Sequence, residues 1–226
     1  MSASPRLTVL VSAPGDFRQV INLLADMSAS RLLEPFVWIE AAEQQLSHFF
    51  IKDGLVTPLP VAEAIEQLNP ELLRLAVAHP LNSSAPPVGT STIAAVEAAI
   101  SATGITPAHR LRVLWAIPGL PATLDPSLLR SGWHNLLISP HDVSSPSKPN
   151  RLAWEAGDSQ ILMASRVAAA LSGLLGLWRG GQAPLDNTDA DQAAGLLRLA
   201  VTQHRHIDAA TVAGQLQQVL FDFSEG

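Results

Sequence analysis

The run Leu7-Thr-Val-Leu-Val11 is short, apolar and closed at once by the turn-forming stretch Ser12-Ala-Pro-Gly-Asp16. Such a run reads as a buried strand. Asp16 stands where a helix N-cap belongs. Beyond it Phe17, Val20, Ile21, Leu24 and Met27 recur at helical spacing, predicting a helix to about residue 28. Pro35-Phe-Val-Trp-Ile-Glu40 is the next strand. Strand–helix–strand is the unit that makes a parallel pair through a right-handed crossover.

Residues 46–51 and 56–59 flank Lys52-Asp53-Gly54, with Asp53-Gly54 as the turn of a hairpin. Pro60 can open a short helix to residue 67. Residues 72–79 (Leu-Leu-Arg-Leu-Ala-Val-Ala-His) form a strand candidate whose composition would also suit a helix. A Pro/Ser/Asn loop over 80–89 and a helix over 91–103 follow. Residues 111–117 and 135–139 are two more strands, and 141–150 is the most loop-like stretch, with two prolines and three serines. The last third reads as helical: 159–178, ended by Gly180-Gly181 and Pro184, then 189–202 and 208–223. Val212, Leu216, Val219, Leu220 and Phe223 make an apolar stripe on the final helix. The expectation is an α/β fold with a mixed, mainly parallel open sheet of about five or six strands flanked by helices. It would be a Rossmann-like three-layer arrangement with a helical C-terminal segment. Residues 1–185 would form the α/β domain, with 186–226 a helical pair packed on it.

The stretch 161–178 carries one charge, Arg166, and approaches the length of a membrane span. Its pattern decides otherwise. Ala164, Ala168, Ser172, Gly176 and Gly180 lie four apart, beside a second small row of Ser165, Ala169 and Gly173. Two small ridges allow close approach of another backbone, so a central core helix is the first reading. A self-association face is the second. A membrane span comes third, opposed by the buried charge.

Composition narrows the function classes. Hydrophobic residues make up 47% and charged residues 15% of the 226, enough for a substantial core. The net charge is −6 with no basic stripe, which argues against a nucleic-acid partner. Cysteine is absent, which excludes disulfides, thiolate metal sites and a thiol nucleophile and fits a reducing compartment. No signal pattern opens the chain, so a cytoplasmic protein is expected.

In an open parallel sheet, ligands sit at the carboxyl ends of the strands. The first strand offers Ser12, Gly15 and Asp16 there. One glycine stands in place of the three of a dinucleotide fingerprint, and an acidic cap would repel phosphate, so N-capping is the simpler role of Asp16. Gly89-Thr90-Ser91-Thr92 opens a helix whose free N–H groups and hydroxyls could hold an anion; capping would use the same residues. His79, His141 and Asp142, with Ser83, Ser91 or Ser139 as a hydroxyl, have the residue types of a hydrolase triad or a weak metal site. No nucleophile-elbow or metalloprotease motif supports them, and loose histidines near strand ends are more often solvated or hydrogen-bonded locally. His204 and His206, two apart, point to different faces. Trp133 and Trp154 flank the Pro/Ser-rich loop and serve first as covers of the core.

The first expectation is therefore a non-catalytic regulatory or protein-interaction module. It would bind a protein partner or self-associate through Val212, Leu216, Leu220 and Phe223. The alternative is a small-ligand enzyme or sensor, hydrolase-like, using Gly15, Asp16, Thr90 and Ser91 for ligand and His79, His141, Asp142 and Ser91 for chemistry. Neither a cofactor nor a metal is expected.

Overall fold

Leu7, Val9, Leu10 and Val11 have no exposure at all. An alternating strand reaches that state only when both faces of its sheet are covered. The computed structural model describes residues 5–15, 17–42, 45–81, 86–115, 124–142, 160–181, 183–186 and 197–202. It is an α/β structure in which this first strand, β1 (Arg6–Ser12), lies inside a mixed sheet. The chain continues through α1 (Arg18–Ala29), β2 (Phe36–Ala41), β3 (Leu46–Lys52), β4 (Leu55–Pro58) and α2 (Val61–Leu68). Then come β5 (Leu72–Pro80), α3 (Thr90–Ser101), β6 (His109–Trp115), β7 (His134–Asp142), α4 (Gln160–Leu174) and β8 (Leu197–Thr202).

The strand order is β4-β3-β2-β1-β5-β6-β7-β8. The pairs β1–β2, β1–β5, β5–β6, β6–β7 and β7–β8 are parallel, and β2–β3 and β3–β4 are antiparallel. Leu10, Ala76, Leu111, Val113 and Leu136 face α1 and α4 in one apolar layer. Leu7, Val9, Val11, Leu75 and Val77 face α2 and α3 in the other. From β1 the chain travels one way along the sheet with α1 above it, and from β5 the opposite way with α3 below it. Reversing both direction and face keeps a single crossover hand. It also makes the β1/β5 boundary the point where the strand order turns.

Asp53 and Gly54 form the expected hairpin turn between β3 and β4, both at positive φ (48° and 82°), as a two-residue turn of this twist requires. Residues 72–79 resolve as strand, because every position from Leu73 to Pro80 is buried. Other expectations need correction. Among the described residues the sheet has eight strands, more than five or six. Within the stretch predicted as a helix over 189–202, residues 197–202 are strand β8, whose Leu-Arg-Leu-Ala-Val-Thr alternates with period two. The remainder of that stretch and the helix over 208–223, with Val212, Leu216, Leu220 and Phe223, lie outside the described residues. His141 and Asp142, expected in a loop, belong to β7, past an irregularity in its pairing with β8, and the remainder of the expected loop, 143–150, lies outside the described residues. The N-cap of α1 is Phe17, with no side-chain cap bond, and Asp16 lies outside the described residues.

The helix expected over 159–178 stops at Leu174. Gly176 adopts φ 61°, its N–H donates to the Gly173 carbonyl and that of Leu177 to the Ser172 carbonyl. This is a Schellman C-cap, and it ends the helix four residues before the Gly180-Gly181 pair. Ala164, Ala168 and Ser172 are buried, with α4 packed along α1. Among the described residues no helix is long and apolar enough to cross a membrane.

Beyond α4 the chain passes under the N-terminal ends of the strands. Arg74, on β5 and 1% exposed, donates from Nε to Asp186 Oδ1 (3.0 Å) and from Nη2 to Oδ1 and Oδ2 (2.6 and 2.7 Å). The Ala183 N–H also donates to Asp186 Oδ2 (3.0 Å), Thr8 Oγ1 donates to the Leu175 carbonyl (3.0 Å) and Arg6 bonds the Gly181 carbonyl. Burial pushes the Asp186 carboxyl up. The hydrogen bonds from Arg74 and Ala183 and the charges of Arg74 and Arg6 outweigh it, leaving the carboxyl below its ordinary range.

Two consequences are testable. A methyl group on Gly176 would sit 2.9 Å from both Arg74 Cζ and Ala183 Cβ at a left-handed φ, so Gly176→Ala should cost roughly 1–3 kcal/mol, read from urea unfolding midpoints. Asp186→Asn should cost roughly 3 kcal/mol at pH 7, since it strands a buried guanidinium. Because the folded carboxyl is depressed, its contribution is present above the unfolded value near ~4 and is lost as pH falls through the lower folded value. The gap between wild type and Asp186→Asn should therefore narrow between pH 7 and pH 3, and a constant gap would mean that the pair is not ionic.

Candidate functional site

The turn of strand order leaves a cleft where the segments following β1 and β5 separate, the place where open α/β sheets receive ligands. Ala13 and Pro14 follow β1, Ala41 and Ala42 close β2, and Pro86, Pro87, Val88 and Gly89 lead into α3; together with Ser91 and Thr92 they enclose about 490 Å³. Proline and alanine make these walls apolar and stiff.

The polar side of the cleft is the start of α3. Gly89 is the N-cap in an extended conformation, and among the described residues no side chain caps the helix. The first-turn N–H groups therefore have no side-chain acceptor among those residues, and they carry the positive end of the helix dipole. The hydroxyls of Ser91, exposed, and Thr92, half-buried, stand beside them. Among the described residues that line the cleft, none has an ionisable side chain. Such a site can hold an acceptor group and an apolar body, and its described lining residues offer no acid, base or charged nucleophile.

The sequence-derived candidates are distributed unevenly over this geometry. Ser91 lines the cleft; Thr90, the first residue of α3, is exposed but does not line it. Gly15 is an exposed turn residue at φ 99°, and its carbonyl accepts from the Arg18 N–H (2.9 Å). Ser12 is buried and accepts from Trp38 Nε1 (3.0 Å), a structural use. Ser83 and Asp16 lie outside the described residues, as do Trp154, His204 and His206.

His79 is 4% exposed on the α3 side of β5. Register sets it level with Leu114 and, one strand further, with Leu137. His141 is four residues beyond Leu137 on β7. Two strand spacings and four residues of rise separate the His79 and His141 backbones by roughly 16 Å. An Asp–His or His–hydroxyl hydrogen bond does not span that distance, so β5 and β7 do not bring His79 together with His141 and Asp142. Among the described residues no group of His, Asp or Glu is placed to hold a metal ion.

Sequence reasoning passed over the buried charges. Arg74, Arg112, His109 and His134 are all under 8% exposed, and the rings of His109 and His134 lie 5.9 Å apart. Their signal was present: a charged residue inside an apolar strand that must be covered on both faces has to find a partner or a use. Trp133 is buried under the Arg130 guanidinium, 4.9 Å from its ring centre, in its expected role as a core cover. No protein-family model matches the chain, and neither does any curated protein.

The hydroxyls at the start of α3 can be assigned by stability alone. A capping Ser or Thr costs about 1 kcal/mol when replaced by Ala. Because no side chain among the described residues caps α3, Ser91→Ala and Thr92→Ala should each change the unfolding free energy by less than about 0.5 kcal/mol in urea titrations. A loss of a full kilocalorie in either would return that residue to a capping role.

Proposed function

We propose that this chain is a non-catalytic regulatory module, built on a Rossmann-like, mainly parallel three-layer frame, that binds a small molecule in the cleft beside Ser91. The observation that carries the reading is the composition of that cleft. It joins uncapped N–H groups and two hydroxyls to apolar walls, without an ionisable side chain among the described lining residues. The ligand class that fits has an anionic or carbonyl head set at the start of α3 and an apolar body against Pro14, Ala42 and Val88. Binding there would act on the loops after β1 and β5 together, which suits a sensor or regulatory part.

A fluorescent aromatic sulfonate, anilinonaphthalene sulfonate, has this head and body and serves as the probe. Saturable binding to the full chain is expected, weakened at least about tenfold by Ala42→Phe, which fills the cleft from an exposed position. Unchanged binding in that variant would place the probe elsewhere and remove the reading. Hydrolysis of p-nitrophenyl acetate above the solvent rate, lost in Ser91→Ala, would overturn the non-catalytic part and favour the hydrolase-like alternative.

A further inference from the structure

Arg112 lies at the centre of β6, in register with Val77 of β5 on one side and Asn135 of β7 on the other. Strand alternation puts it on the α3 face, since Leu111 and Val113 serve the opposite layer. It is 2% exposed, and its Nε and Nη1 are buried without a hydrogen-bond partner. Its neighbour on the same face, Arg110, shows the ordinary solution. Arg110 Nε donates to Glu97 of α3 (2.9 Å), which occupies that carboxylate.

The charge that acts on Arg112 is of its own sign. Burial first, and then Arg130, lower the Arg112 guanidinium to about 10. Arg130 is held in place by Asn135, which is fully buried. Asn135 Oδ1 accepts from the Arg130 N–H (2.9 Å), and its Nδ2 donates to the carbonyls of Arg130 (3.0 Å) and Trp133 (3.3 Å). Asn135, level with Arg112 on β7, thus already holds the segment that carries a second arginine. The Arg130 guanidinium stacks on Trp133, which limits its freedom to turn away. Among the described residues neither arginine has a carboxylate partner.

A buried guanidinium with two idle donors beside a second cation is one of the costliest arrangements in a protein, and an anion resolves it. We propose that Arg112 and Arg130 form a receptor for a small dianionic oxyanion, inorganic phosphate or a phosphate monoester, on the α3 side of β6. Arg112 Nε and Nη1 lie on different edges of the guanidinium, so one of them meets an oxyanion oxygen while Arg130 supplies the second cation, and two positive charges match a dianion better than a single carboxylate. The site is distinct from the cleft at the ends of β1 and β5 and does not rest on the function proposed for it.

Calorimetric titration of the full chain with inorganic phosphate, at pH 7.5 and fixed ionic strength in chloride, tests the assignment. Saturable binding and a raised melting temperature are expected for wild type. Arg112→Leu should weaken binding at least about tenfold, with a smaller loss in Arg130→Gln and none in Arg110→Gln. Without phosphate, Arg112→Leu should melt no lower than wild type, because it removes an uncompensated charge from the interior. Absence of saturable binding to wild type, or equal affinity in Arg112→Leu, would overturn the proposal. So would an Arg112→Leu protein that melts well below wild type while phosphate leaves both unmoved; that pattern would assign the counter-charge to the chain's own carboxylates.

Discussion

The ion pair between Arg74 and Asp186 is the constraint from which much of the architecture follows. Arg74 occupies a position on β5 whose neighbours along the strand are apolar and whose side chain reaches no water. Left alone it would be an uncompensated charge beside the core. The chain must therefore return beneath the sheet after α4 and deliver Asp186 to that point. For the return to fit, α4 has to stop at Leu174, and Gly176 has to take a backbone conformation that leaves room for the guanidinium. The bonds from Thr8 and Arg6 then fasten the same segment to β1. One charge on a central strand thus constrains where a helix can end and how the following segment docks.

Arg74 and Arg112 show two outcomes of the same chemistry on opposite faces of adjacent strands. On the α4 side the guanidinium meets a carboxylate with three hydrogen bonds and the charge is absorbed into the fold. On the α3 side the neighbouring acid, Glu97, is taken by Arg110, and the neighbouring amide holds Arg130. The ion pair accounts for the first arrangement, with Arg74 Nη1 alone left without a partner. Core packing does not explain the second, since a leucine at position 112 would satisfy the layer better. In a domain whose cleft offers donors without ionisable side chains, this second locus is where charge has been retained in the interior.

The parts of the fold that were legible in the sequence are those governed by local chemistry. Short apolar runs marked β1 and β2, Asp53-Gly54 marked its hairpin, and the row of small residues in α4 marked a buried helix. The errors arose where one residue serves two patterns or where distant contacts decide. The end of α4 is a local Schellman cap at Gly176, hidden because that glycine also continues the row of small residues four apart, so the Gly180-Gly181 pair looked like the stop. β8 takes its state from pairing with β7, while Leu197–Thr202 alone carries helix-tolerant residues. Ser91 was reachable because a glycine-led helix start after a strand is a local pattern. The neighbours of His79 were not, because its depth and its register against β7 belong to the assembled sheet. Arg74 and Arg112 stood in plain view as charges in apolar strands, but the sequence does not say which of them finds a partner.

The position of β1 between β2 and β5 carries a kinetic meaning. Its partner on one side follows after a single helix, whereas the partner on the other arrives only after a hairpin and α2 have been made. Until then one ladder of backbone donors and acceptors along β1 is open, and the apolar residues of that strand lack half their cover. The interior cannot close in sequence order. It closes when the long-range β1–β5 ladder forms, and pairings of that range are the slow ones in folding. A cut in the stretch between β4 and β5 would accordingly divide the polypeptide without yielding two halves able to stand alone.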